Sequence, residues 1–211
     1  MGPQLDDWKD PSSSGHRSTN LRVEDVDGAE ADRLCGGGEL PAQVSVKRLH
    51  MTVGEETTST DYIMFSRRLE IPEHALSRDT EHRAGDTTRL VIAFPVLESP
   101  PPQSIYAFLP VCPSAFSFAI CADWSLTSSR QAVHSDSPLN LWLRDEVAIT
   151  FGEAVTAVPA IREHVGRYIP VDQGTSSQLS FWAPIAAQLR TVLRDRACIK
   201  TEGGNWRRPE D

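Results

Sequence analysis

The sequence predicts an α/β layered domain: a mixed, largely antiparallel sheet of about five strands with two long C-terminal helices packed on it. Three observations lead there. Between Gln43 and Cys121 short β-branched and aromatic runs recur, separated by proline, glycine and polar connectors. From Leu139 to Val158 apolar residues return at three- and four-residue spacing, and from Leu179 to Leu193 they do so again.

Taken in order, residues 1–40 are expected to be a disordered or loosely attached lead-in. They hold nine Asp/Glu against four Lys/Arg and include PSSSG and CGGG, a composition that buries too little apolar surface to offset its ordering entropy. A short strand at Leu21–Val26 is compatible with the pattern. Gly36–Gly38 lack the preceding strand and following Lys-Ser/Thr helix of a phosphate loop, so they read as a turn.

Residues 41–208 read as the domain itself. QVSVKRLHM sets Val44, Val46 and, less cleanly, Leu49 on one side of a half-buried strand, and DYIMFSRRLEIP is a second strand ended by Pro72. After the polar connector EHALSRDTEHRAGDT, the run TRLVIAFPVL has the continuous apolar character of a strand covered on both faces. Pro100 to Pro102 break the chain. Ile105–Leu109 and Phe116–Cys121 then read as neighbouring strands, joined by a turn at Pro110 and Pro113.

Ser137 is a suitable N-cap and Pro138 fits a first helical turn, where a missing N–H costs nothing. Leu139, Trp142, Leu143, Val147, Phe151, Val155 and Val158 continue a helix of about five turns, which Pro159 ends or kinks. GRYIPVDQG is a loop. Leu179, Trp182, Ile185, Ala186, Leu189, Val192 and Leu193 share one face of the second helix.

Composition excludes several functions. The formal charge of −8 argues against a nucleic-acid binder, and residues 41–211, with twenty acidic and seventeen basic side chains, are nearly neutral. No apolar run approaches the ~20 residues that cross a bilayer, and the N-terminus has no apolar signal core, so no membrane partner is expected and an intracellular location, cytoplasmic or nuclear, follows. Cys35, Cys112, Cys121 and Cys198 form no CxxC pair and read as free thiols. His50, His74, His82, His134 and His164 have no ligand spacing, so no metal is expected. Trp142, Trp182, Phe108 and Phe116 read as core aromatics, because no interleaved cations make them a base-stacking platform.

One series is more specific. Tyr106-Ala107-Phe108-Leu109-Pro110, Phe116, Phe118, Leu126, Ser128-Ser129-Arg130, Val133, Asp136-Ser137-Pro138, Asn140, Trp142 and Leu143 match an FLP…SSR…DSPxNxWL pattern. With it, residues 41–208 resemble the segment that follows the ATP-binding fold in the sacsin and NO VEIN group of heat-shock-protein-90-like (GHKL) ATPases. Trp124, Thr127 and Leu139 stand where that pattern has Phe, Pro and Trp. The Glu/Asn helix and Asp-x-Gly-x-Gly turn that hold adenine and magnesium in such ATPases are not in the chain. The resemblance therefore implies the distal, transducer-like part of a chaperone-like or scaffold ATPase module. It binds no cofactor alone, the ATP and magnesium of the complete module being held by an ATP-binding domain.

The resemblance also implies a role for Arg130. In heat shock protein 90 a comparable Leu-Ser-Arg loop sends its arginine to the γ-phosphate of ATP held by another domain. A permanently charged, forked donor neutralises charge that develops on the transferred group, and Ser128 and Ser129 would support the loop. A structural reading stands beside it, in which Arg130 pairs with Asp136 or caps a carbonyl. Asp136-Ser137-Pro138 reads as a helix start, with the anion near the positive end of the helix dipole. The alternative for the whole chain is a non-enzymatic domain that keeps the fold and binds a protein partner.

Overall fold

The computed structural model describes residues 19–37, 40–76, 83, 85–170 and 180–210. Expectations for residues 1–18, for Gly38, His82 and Leu179, and for residues 171–174 of the GRYIPVDQG loop lie outside the described residues. The chain runs β1 (Thr19–Val26), α1 (Gly28–Leu34), β2 (Val44–Val53), β3 (Glu56–Glu70), β4 (Thr87–Pro95), β5 (Ser104–Ala107), β6 (Leu109–Pro113), β7 (Ala119–Cys121), α2 (Pro138–Ala157), α3 (Pro159–Glu163), α4 (Ala183–Arg194), β8 (Ile199–Lys200) and β9 (Trp206–Arg207).

The expectation of five strands and two long C-terminal helices is overturned. The main sheet has seven strands in the order β1-β2-β3-β4-β7-β5-β6, and β8 and β9 form a separate small hairpin. Only α2, with 20 residues, is long; α4 has 12. Beyond the five expected strands the sheet gains β1, where a short strand at Leu21–Val26 was compatible with the pattern, and β6, which escapes the pattern. β6 contains Pro110 and Pro113, which resemble a turn but are tolerated because β6 is an edge strand that pairs on one side only. Its hairpin partner is β5, whereas β7 runs parallel to β5. β1 pairs with β2 along its whole length at the opposite edge.

β3 is also longer than its apolar run. Residues 56–59 pair with β2 from a turn at Gly54, where φ is +67°, yet all four are exposed. Threonine and serine keep them extended without an apolar face to reveal it.

Residues 19–37 are part of the packed unit. Ala31 and Cys35 are enclosed in the core, and burial, reinforced by the negative charge of Asp32, pushes the Cys35 thiol up to about 11. Arg48 of β2 ties α1 to the sheet, its Nη2 lying 2.7 Å from Glu30 and its Nε 2.7 Å from Asp61. After α1, Gly36 adopts φ +91°, and a Cβ there would lie 2.9 Å from the backbone nitrogen of Ala160. Gly36→Ala is therefore expected to lower stability by about 1–3 kcal/mol, read from the urea midpoint, because it adds left-handed strain to a backbone clash.

The core lies between one face of the sheet and α2. Ile63 and Phe65 from β3, and Leu90, Ile92 and Phe94 from β4, meet Leu143, Val147 and Phe151 of α2 in one buried cluster. Phe94 is central, with ring centroids 5.9 Å from Phe118, 5.5 Å from Phe151 and 5.0 Å from Tyr168. α2 is buried almost all round because α4 packs on it as well, Gly152 allowing Val192 to approach. Val158 turns extended and Pro159 opens α3, so the helix stops at the proline. Among the described residues no helix is long and apolar enough to cross a membrane.

Candidate functional site

Strand β7 leads out of the sheet toward α2 through Asp123, whose carboxylate accepts the Thr88 hydroxyl at 2.7 Å and moors the segment to β4. The chain then makes a small hairpin of its own. Leu126 and Val133 form an antiparallel bridge, and the Thr127 N–H donates to the Ala132 carbonyl at 3.0 Å. Ser128, Ser129 and Arg130 make up its exposed tip. The Arg130 N–H donates back to the Thr127 carbonyl at 2.8 Å, closing a turn.

Arg130 sits in the left-handed region, at φ +57°, a conformation that costs a non-glycine residue on the order of 1 kcal/mol. The Ser129 hydroxyl is 3.1 Å from that of Thr127 and 3.4 Å from the Gln131 N–H, so it stiffens the turn from within. Ser128 and the Arg130 guanidinium make no hydrogen bond or ion pair among the described residues. Neither contact of the structural reading, the pairing with Asp136 or a side-chain cap on a carbonyl, is made among the described residues, and Asp136 lies exposed in the turn before α2.

What holds this loop is Asn140. Its side chain is fully buried and reaches backward from the first turn of α2 to both arms of the hairpin. The Ser125 N–H donates to Asn140 Oδ1 at 2.8 Å, and Asn140 Nδ2 donates to the carbonyls of Ser125 and His134, both at 2.8 Å. A direct bond from the His134 N–H to the Ser125 carbonyl, 2.9 Å, completes the clamp. Ser137 caps α2, its side chain accepting from the Asn140 N–H at 3.5 Å, and Pro138 follows as the first-turn proline. The DSPxN element thus starts the helix and grips the loop at once.

Aromatic packing supports the base. Trp124, where the resembled pattern has Phe, meets Trp182 edge-on at 5.2 Å, although its buried indole N–H has no partner among the described residues. Trp182 and Phe116 are core residues as expected and Trp142 is partly buried. Phe108 is not in the core: it is 91% exposed, with φ +63°, at the one-residue turn between β5 and β6. An FLP segment that reads as the end of an apolar strand is the tip of a hairpin, where no layer reaches it.

Arg67 pairs with Glu146 at 2.8 Å and Glu153 at 3.2 Å and lines an open polar pocket with Arg68, Arg89 and Asp123, but the cysteines and histidines do not converge. Cys112 and Cys121 are partly buried, and burial raises both thiols, the opposite of an activated nucleophile. His50 is near Ser59 and Glu24 on the β1–β2–β3 surface. Among the described residues no three His, Cys, Asp or Glu side chains group as metal ligands.

Against known proteins, the chain is similar to Protein NO VEIN of Arabidopsis thaliana, 29% identical over 108 residues. The match takes in 48% of this chain and 4% of that protein's length. No protein-family model matches the chain, and no solved structure does.

Proposed function

We propose that this chain is the distal, transducer-like segment of a sacsin- and NO VEIN-type module within the heat-shock-protein-90-like (GHKL) ATPases, acting in chaperone-like or scaffold machinery. In this reading Arg130 is directed at the γ-phosphate of ATP held by a separate ATP-binding domain. One observation carries it: an exposed arginine without an acidic partner among the described residues, held in a left-handed backbone at the tip of a loop clamped at its base. A solvated surface arginine needs no such support. A fixed, forked cation suits a phosphoryl group whose charge redistributes in the transition state, where a preorganised donor is worth most. The Ser128 hydroxyl beside it is a further donor to a phosphate oxygen. The similarity to Protein NO VEIN supports the NO VEIN-type part of the reading.

The test joins this chain to an ATP-binding domain of the same group and follows hydrolysis. Arg130→Ala is expected to slow turnover tenfold or more while nucleotide affinity stays nearly unchanged, and Arg130→Lys to restore only part of it, because an ammonium cannot make the forked contact. Unchanged turnover removes Arg130 from the mechanism.

A further inference from the structure

The face of the sheet turned away from α2 is not built for water. Antiparallel sheets with one solvated face alternate apolar and polar residues, yet the outward positions of β3 and β4 include Tyr62, Met64, Val91 and Ala93. With Leu49 and Tyr106 they line an open groove of about 390 Å³, and among the described residues no helix contributes to it. Its floor is already dry, Val91 and Ala119 being 9% and 8% exposed. At its rim Phe108 projects almost wholly into solvent, and Leu21, Val23 and Met51 continue the apolar surface toward the β1 edge. A contiguous apolar surface of this kind marks an interaction site, and a projecting aromatic is the side chain most often found anchoring one.

The charges beside the groove say what it receives. Arg68 and Arg89 stand directly opposite one another across β3 and β4. Both are exposed, and neither side chain has a hydrogen-bonding or ion-pair partner among the described residues. Like charges in directly opposed positions destabilise a sheet, so the pair is at a cost until an anion lies between them. Asp25 pairs with Lys47 and Asp123 accepts from Thr88, and Glu70, the next outward residue of β3, is a single carboxylate against the two guanidiniums, so the spot stays net positive. A second copy of this face brings a second arginine pair toward the first, whereas an acidic occupant complements it.

The groove's dimensions say what shape that occupant has. From β1 to β5 there are five inter-strand steps, and at about 4.8 Å each they span about 24 Å, the length of a helix of about 16 residues. The inner face of the same sheet is already covered by a helix, α2. We propose that the outer face docks an amphipathic helix of a partner protein, its apolar stripe in the groove against Phe108 and its acidic flank on Arg68 and Arg89. This docking is independent of Arg130 and of the ATPase reading.

The experiment uses the full chain and two fluorescent synthetic helices of about 16 residues, with the same leucine stripe and either glutamate or lysine flanks. The glutamate peptide is expected to saturate in the micromolar range, at least tenfold more tightly than the lysine peptide, and to weaken with added salt. Arg68→Glu with Arg89→Glu, both at exposed positions that spare the fold, is expected to reverse the order. Equal affinity for the two peptides, or no saturable binding, overturns the proposal. So does a dimer in sedimentation that Val91→Glu dissociates, which makes a second copy the occupant. So does binding that appears only after residues 1–18 are deleted, which makes that segment the occupant.

Discussion

Asn140→Ala is expected to lower stability by about 2–4 kcal/mol, although it removes one polar side chain from the first turn of a helix. The amide makes three hydrogen bonds of 2.8 Å from a fully buried position. Its loss leaves the Ser125 N–H and the His134 carbonyl without that partner at a part-buried site. For a chain of this size the loss corresponds to a fall in Tm of about 5–15 °C. Thermal unfolding checks the magnitude. Hydrogen exchange checks the mechanism: the Thr127 and Arg130 amides, bonded across the loop, should lose protection well before those of β4. Asn140→Asp keeps the acceptor for Ser125 but replaces the donor by a buried charge facing two carbonyls, so it should be no better tolerated. In the joined ATPase module, Asn140→Ala should reproduce part of the Arg130→Ala defect with the arginine still present. That separates positioning from contact.

Phe94→Ala is expected to cost still more, about 3–5 kcal/mol, the range for emptying a close-packed aromatic site. The ring is fully buried among Phe118, Phe151 and Tyr168, and sheet and helix both present rigid neighbours that cannot collapse into the space. The Tyr168 hydroxyl, which donates to the Pro95 carbonyl at 3.1 Å, pins one wall of the cavity. Chemical denaturation should show the loss as a shifted midpoint with little change in slope. Phe108→Ala is the paired control. At 91% exposure it should move stability by no more than about 0.5 kcal/mol, while weakening the glutamate peptide.

Those two phenylalanines show where sequence reading stops. Both lie in apolar β-rich runs, LVIAFPVL and IYAFLPV, and the pattern ranks them alike. Burial depends on which layer arrives opposite each, a fact of long-range topology. The same holds for the strand count. β6 looked like a turn because proline cannot donate to a ladder, and only its place at the sheet edge made that harmless. Residues 56–59 of β3 carried no apolar signal, and no described element covers them.

The candidate site divides in the same way. Ser128-Ser129-Arg130 and the helix start at Ser137-Pro138 were legible, since an N-cap, a first-turn proline and a conspicuous arginine are local features. Asn140 was visible as part of the DSPxN element but not as a clamp, because its partners lie fifteen residues back at Ser125 and six back at His134. Arg68 and Arg89 lie 21 residues apart in sequence and oppose each other only through the β3–β4 register.

By itself, then, the sequence determined what short-range physics controls: the α/β class, the start of α2 and its stop before Pro159, and the arginine in its serine-rich turn. The tertiary structure decided what depends on distant segments meeting: seven strands in a non-sequential order, an asparagine that locks the arginine's loop, and an apolar sheet face with paired arginines. Periodicity records which side of an element avoids water, and not which partner it meets. That pairing exists only once the chain has closed on itself.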